Sequence, residues 1–163
     1  MSISLWRSGI GYDAHRFGEG RQLILGGVEI PHSRGLEGHS DADVLSHAIA
    51  DALLGAIGER DIGHLFPNTD EAIRGISSLQ ILRRVGEILA EKKCRVANVD
   101  ATLIAEAPKI GTHLETMREK ISAALGIDVS RVGIKATTNE GMGALGRGEG
   151  MAALAVASVE QDK

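Results

Sequence analysis

The chain has 163 residues, 43% hydrophobic and 25% charged, with a formal net charge of −4, which is enough for one domain over 1–163 that folds without disulfides or a structural metal. The acidic balance, with no basic run and only 2% aromatics, excludes a nucleic-acid-binding surface, and the single cysteine, Cys94, excludes an intrachain disulfide or a Cys-based zinc site. Met1 to Ile10 carries no signal-peptide pattern and no apolar run reaches membrane-spanning length, so the expected setting is a reducing cytoplasm.

Residues 3–12 have short, strand-like character. Leu23 to Ile30 holds Gly26-Gly27 between apolar residues, which predicts a bent strand or hairpin. Pro31 to Gly38 is a loop. Ser40 and Asp41 are good N-caps and open a helix that runs to about Ile57. A second helix is predicted from about Ser77 to Lys92, with Leu82, Val85 and Leu89 on one face. Arg95 to Ile104 has the strand pattern. Thr112 followed by Glu115 is a capping-box signature for a third helix whose apolar face is Leu114, Met117, Ile121 and Leu125. Gly126 ends it as a C′ residue. Val132 to Thr137 and Met151 to Val159 are two more strands. Strands interleaved with three helices predict an α/β protein of the α+β type, a two-layer sandwich with a mixed sheet.

The first helix is the most informative element. At 100° per residue, Leu45, Ala48, Ile49, Ala52, Leu53 and Ala56 cover most of its circumference, and Asp43, His47 and Asp51 form a polar stripe. A buried carboxylate–imidazole–carboxylate stripe is costly unless its members are paired or hold a metal. The plainer alternative is a solvated edge. His39 lies just upstream with Ser40 and Asp41, at a helix start suited to an anion. In Asp13-Ala14-His15 the two polar side chains point to one side of an extended chain. With His47 they offer one oxygen and two nitrogens and leave a fourth position open, the pattern of a catalytic zinc. An acidic protein that binds an anionic substrate needs local counter-charge, and a divalent metal supplies it compactly. His32, His64 and His113 are expected at the surface.

Gly141-Met-Gly143-Ala-Leu-Gly146 matches G-x-G-x-x-G. The dinucleotide reading is rejected, because that motif needs a helix directly after it inside a βαβ unit, and Gly148 to Val159 has strand character. In Lys135 to Glu140, Thr137, Thr138 and Glu140 emerge together from a strand end. Hydroxyls bond phosphate oxygens, and a carboxylate can hold Mg²⁺ against a diphosphate. Arg147 can supply direct positive charge. The bland reading of this stretch is a polar loop.

Six segments taken in order resemble the 2-C-methyl-D-erythritol 2,4-cyclodiphosphate synthase family of the non-mevalonate route to isoprenoids. They are Gly11 to Phe17, Gly38 to Asp43 leading to His47, Asp61 to Asp70, Ala105 to Lys109, Lys135 to Glu140 and Gly146 to Gly150, and the resemblance runs from about Gly9 to Val159. It implies that Asp13, His15 and His47 bind zinc and that His39 and Ser40 lie along the phosphate path. It implies that Asp61, Ile62, Gly63, Phe66, Pro67, Asn68, Thr69 and Asp70 hold the methylerythritol part. Ala105, Glu106, Ala107, Pro108, Lys109, Ile110 and Gly111 would cradle the cytosine, largely through backbone groups. Thr137, Thr138, Asn139 and Glu140 match phosphate and second-metal positions, with Mg²⁺ or Mn²⁺ at Glu140. Ala144 and Arg147 complete the substrate-binding set. Asn68 stands where aspartate is common, Asn139 where threonine is, and Ala144 where phenylalanine is often found near an apolar central cavity.

The resemblance further implies a homotrimer with active sites between adjacent subunits, one chain supplying the zinc side and its neighbour the cytidine side. The implied reaction closes 4-diphosphocytidyl-2-C-methyl-D-erythritol 2-phosphate into the cyclic diphosphate and releases CMP, with His39 and Thr138 stabilising charge on the transferring phosphoryl group. Two other functions use the same residues: a zinc-dependent phosphohydrolase, and a non-catalytic trimer that binds cytidine nucleotides.

Overall fold

The structure, a computed structural model, describes residues 4–67 and 69–162. Its elements are β1 (Ser4–Gly18), β2 (Leu23–Leu25), β3 (Val28–Ile30), β4 (Gly35–Leu36), α1 (Val44–Ala56), α2 (Ile62–Leu65), α3 (Ser78–Glu91), β5 (Cys94–Ile104), α4 (Leu114–Leu125), β6 (Val132–Thr137), α5 (Gly143–Gly146) and β7 (Gly150–Asp162). Five strands form one mixed sheet in the order β4-β1-β7-β5-β6, and β2 and β3 form a separate hairpin. Only β5 and β6 run parallel within the sheet, and α4 makes the crossover between them. The expected α/β architecture is present, with α1, α3 and α4 as its main helices. Among the described residues no helix is long and apolar enough to cross a membrane.

The helices cover one face of the sheet. α1 lies across β1 and β7, α4 packs on β6, and α3 sits between α1 and α4 and reaches β5. α1 is buried nearly all round, as its wheel predicts: Leu45, Ala48, Ile49, Ala52 and Leu53 are all inaccessible. The β1–β7 part of the other sheet face is apolar and open, while Asp100 and Lys135 pair on its β5–β6 part. Trp6, Ile10 and Tyr12 alternate along β1, and Leu154 and Val156 stand opposite Tyr12 and Ile10 on β7.

Several features depart from the sequence pattern for identifiable reasons. β1 runs to Gly18 rather than stopping near residue 12, because β7 pairs with it from Ser4↔Asp162 to Arg16↔Gly150 and β4 pairs with Phe17 and Gly18. That ladder carries the strand through the polar stretch where alternation fades. α1 starts later than Ser40-Asp41: its N-cap is Asp43, whose carboxylate accepts from Ser46 N at 3.0 Å. Ala42 stands at φ +55, outside helical geometry, and separates the two candidate caps from the helix. The capping box at Thr112 and Glu115 does not form. A 3-10 turn over Gly111–His113 precedes α4, and the Glu115 carboxylate pairs with Arg118 at 2.8 Å. His32 is not a plain surface residue. Its ring tilts over Phe17 at 5.2 Å, and its Nε2 is buried without a hydrogen-bond partner.

Residues 31–38 are not all loop, because Gly35 and Leu36 pair with Gly18 and Phe17 as the edge strand β4. Ser77 and Lys92 flank α3, Gly126 closes α4 in the left-handed conformation, and the G-x-G-x-x-G stretch forms one short helical turn before an antiparallel strand. Gly26 and Gly27 make the β2–β3 turn, both at positive φ (56° and 72°), as a tight hairpin turn of this hand requires.

Candidate active site

Two rigid elements build the centre. Asp13 and His15 project from β1 toward α1, and His47 projects from the first turns of α1 toward β1. Asp13 Oδ2 lies 2.9 Å from His15 Nε2 and 2.9 Å from His47 Nδ1. The two ring nitrogens are 3.4 Å apart. One ligand atom from each residue falls within 4.8 Å of the others, the only such cluster of three among the described residues. The donor set of one carboxylate and two imidazoles fits a divalent transition metal and leaves room for an exchangeable ligand.

The electrostatics agree with a site built for positive charge. Burial by itself lifts the Asp13 carboxyl. Hydrogen bonds from His15 and His47, with the charge those rings carry, outweigh it and hold the group well below the usual carboxylate range. Burial by itself lowers the His47 imidazole, and the Asp13 hydrogen bond and charge reverse the sign, so its pKa is raised.

The centre opens into a cleft of about 240 Å³, lined on its polar side by Asp13, His15, His47, His39 and Ser40, and on its apolar side by Ile62, Phe66, Ile73, Ile76 and Ile81, with Gly38 and Gly63. Arg21 holds the His39–Ser40 loop from behind. Its guanidinium donates to the carbonyls of Gly38 and Ser40, the latter at 2.6 Å. His39 is exposed at the rim. Asp61 caps α2 through His64 N at 3.1 Å. Pro67, Thr69 and Asp70 continue the chain past Phe66, and Asn68 lies outside the described residues.

The polar stripe of α1 divides among three tasks. Asp43 accepts from Gly26 N (2.9 Å), Gly27 N (2.8 Å), Ser46 N (3.0 Å) and Ser46 Oγ (2.7 Å), so it ties the hairpin turn to the helix start. Asp51, one turn beyond His47, accepts from Ile62 N at 2.8 Å and anchors α2 beside the cleft. Burial lifts the Asp51 pKa, with that N–H pulling against it.

A second cleft, of about 490 Å³, sits at the carboxyl ends of the parallel pair β5 and β6. Ala105, Glu106, Pro108, Lys109, Ile110 and Gly111 line one side, and Thr137 and Thr138 the other, together with Thr112 and Ala136. Ala107 is exposed beside it. The Glu106 carboxylate accepts from Asn139 N at 2.8 Å and Gly141 N at 3.4 Å, which fixes the loop carrying Asn139 and Glu140. Thr138 Oγ1 donates to Glu140 Oε1 at 3.3 Å. Ala144 lies on α5, and Arg147 Nε reaches Glu149 at 2.6 Å. No residue lines both clefts. The sequence reading missed Arg21, Ser78 and the isoleucines at 73, 76 and 81. Nothing local marks the isoleucines, but Ser78 directly follows an N-cap, and a buried serine at a helix start invites the question of what it bonds.

Fold and cleft together present an α/β domain whose Asp13, His15 and His47 form a candidate metal site. The YgbB family model matches residues 6–160. The chain is 61% identical over 155 residues to the 2-C-methyl-D-erythritol 2,4-cyclodiphosphate synthase of Alkaliphilus metalliredigens, covering 95% of this chain and 98% of that one. It is 60% identical over 151 residues to the enzyme of the same name from Symbiobacterium thermophilum, covering 93% and 96%. Among solved structures, the Plasmodium falciparum IspF CDP complex superposes with a TM-score of 0.84 at 34% identity, covering 97% of each chain. The bifunctional IspDF of Campylobacter jejuni superposes with a TM-score of 0.93 at 38% identity over 98% of this chain, which spans only 43% of that longer protein. The chain belongs to the YgbB family, that of the 2-C-methyl-D-erythritol 2,4-cyclodiphosphate synthases.

Proposed function

We infer that the chain converts 4-diphosphocytidyl-2-C-methyl-D-erythritol 2-phosphate into 2-C-methyl-D-erythritol 2,4-cyclodiphosphate and CMP, a phosphorus–oxygen lyase reaction of non-mevalonate isoprenoid synthesis in the cytoplasm. The observation that carries this reading is the convergence of Asp13, His15 and His47 at the head of a cleft whose rim holds His39 and Ser40. Its relatives' shared activity supports the substrate. An oxygen of the 2-phosphate attacks the β-phosphorus, the bond from that phosphorus to the bridging oxygen breaks, and CMP leaves with the electron pair. Nucleophile and electrophile belong to one molecule, so the protein's main task is alignment, which can supply about 7–11 kcal/mol of such a barrier.

Asp13, His15 and His47 are the proposed zinc ligands, and Glu140 the proposed ligand of Mg²⁺ or Mn²⁺, which one carboxylate holds only with substrate phosphates completing the shell. Bound there, these ions supply positive charge to the α- and β-phosphates. His39 and Thr138 stabilise charge on the transferring group, and Ser40, Thr137, Asn139 and Arg147 meet phosphate oxygens. Asp61 to Gly63 and Phe66 to Asp70 wall the methylerythritol part, while Ala105 to Gly111 cradle the cytosine. The two clefts share no residue, and the open sheet face of Trp6, Ile10, Tyr12, Leu154 and Val156 is the kind of apolar patch that packs against other subunits. We therefore place the active site between adjacent chains of a homotrimer, the metal side from one and the cytidine side from the next.

One experiment tests reaction and assembly together. Turnover in ¹⁸O-water should give unlabelled cyclic diphosphate and CMP, from protein of three-chain mass by light scattering on the same sample. Labelled phosphate would make the protein a hydrolase, CMP binding without turnover would make it a sensor, and an active monomer would remove the trimer.

The raised His47 pKa sets the pH dependence of metal binding. An ion must displace the Nδ1 proton, which is bound below the raised value and already gone above it. Asp13 stays ionised throughout the neutral and mildly acidic range because its pKa is depressed. Zinc affinity, followed by chelator competition, should therefore be level at high pH and fall at least about tenfold per pH unit below the raised His47 value. An affinity flat from pH 8 to 5.5 would contradict this.

A further inference from the structure

His47 presents Nδ1 to Asp13 and His15, and its other nitrogen is enclosed. Nε2 lies 2.9 Å from Ser78 Oγ and 3.2 Å from Ser40 Oγ. Ser78 is fully buried at the first position of α3, so water does not compete for it. Its hydroxyl is in very close contact with Asp41 Oδ1, and its backbone N–H donates to Asp41 Oδ2 at 2.9 Å. Asp43 N donates to Asp41 Oδ1 at 3.2 Å. Both Asp41 oxygens thus already accept from backbone N–H groups, which can only donate.

The direction of the chain of hydrogen bonds follows from these partners. Asp41 accepts, so the Ser78 hydroxyl proton points to Asp41. A Ser78 lone pair then faces His47 Nε2, and a bare Nε2 would set two lone pairs against each other at 2.9 Å. Nε2 must carry the hydrogen. Ser40 Oγ, which accepts Ala42 N at 3.1 Å, shares the Nε2–H at longer range and keeps its own proton for the cleft. We propose that Ser78 and Asp41 are positioning residues that fix His47 as the Nε2–H tautomer, holding the Nδ1 lone pair on the point it shares with Asp13 and His15. Such outer partners orient metal-bound imidazoles, and their loss typically weakens metal binding 10–100-fold. The proposal rests on the metal site of the preceding section but not on its substrate.

The test uses zinc-loaded protein labelled with ¹⁵N in histidine. In the wild type, long-range ¹H–¹⁵N correlation should show His47 with a slowly exchanging Nε2–H and a metal-bound Nδ1. By chelator competition Ser78→Ala should bind zinc 10–100-fold more weakly, Asp41→Asn should also weaken it, and Ser78→Thr, which keeps the hydroxyl, should restore it to within a few-fold. Nδ1–H on His47 in the wild-type holoprotein would overturn the proposal even if no variant folds. So would Ser78→Ala zinc affinity within twofold of wild type. Wild-type protein that takes up no zinc would overturn both this proposal and the metal site, whereas unchanged affinity in Ser78→Ala overturns this proposal alone.

Discussion

His47→Ala is expected to abolish zinc binding and lower turnover at least about 1000-fold while the chain stays folded. The size follows from what the ring does. It is one of only three ligand atoms at the centre, and a metal that stabilises phosphoryl charge supplies several kcal/mol of the barrier. Losing about 4 kcal/mol of that is about a thousandfold in rate. The fold should survive because α1 is anchored elsewhere. Asp43 ties its start to the β2–β3 turn, and Leu45, Ile49 and Leu53 are packed on other faces of the helix. The check pairs metal analysis with steady-state kinetics and circular dichroism on one preparation. A metal-depleted His47→Ala protein with wild-type turnover would show that the convergence of Asp13, His15 and His47 has nothing to do with the chemistry.

The sides on which the centre's residues lie were legible from two short-range periodicities, whereas their convergence was implied by the family resemblance and not by spacing. Residues two apart on a strand share a side, which places Asp13 with His15, and the apolar wheel of α1 leaves His47 on an edge. The helices were legible from their apolar periodicity, with Gly126 marking the end of α4 in the left-handed conformation. What the sequence did not disclose depends on partners far along the chain. The extension of β1 as far as Arg16 is imposed by β7, which begins more than a hundred residues later, and its last two residues pair with β4. Asp41 looks like a helix cap, and only tertiary structure decides that Asp43 caps α1 instead while Asp41 reaches across to the start of α3. Asp51 lies one turn beyond His47, yet its hydrogen bond goes to Ile62 N because the chain returns past it after α1. His32 was read as exposed because nothing nearby shows that Phe17 will lie under its ring. Helical spacing told which side a residue faces but not what waits there.

Gly11→Ala is expected to cost at least about 3 kcal/mol of stability, and to weaken metal binding even where the protein remains folded. A Cβ at Gly11 would lie 1.9 Å from the Ala48 carbonyl oxygen and 2.7 Å from Ala52 N. These are backbone atoms inside a buried helix, so no flexible side chain can swing aside. Gly9 repeats the arrangement one step along the same face, its added Cβ 2.1 Å from Ala52 O. β1 and α1 therefore touch backbone to backbone, and this contact sets how close Asp13 and His15 come to His47. Relieving the clash needs a separation of about 1.5 Å, in an interior packed too tightly to absorb it locally. Metal sites tolerate about 0.2 Å in ligand distance, so His47, next to Ala48, would be carried out of reach. For a chain of this size a 3 kcal/mol loss lowers the melting temperature by about 6–12 °C. Gly55→Ala is the matched control: it lies in the same helix with only ordinary contacts around its Cβ, the nearest at 3.8 Å. There the gain in helix propensity should stabilise by about 0.5–1 kcal/mol and leave zinc affinity unchanged. If Gly11→Ala melted within 2 °C of wild type, or bound zinc as tightly well below its melting temperature, the close approach of β1 and α1 could not be what sets the metal centre.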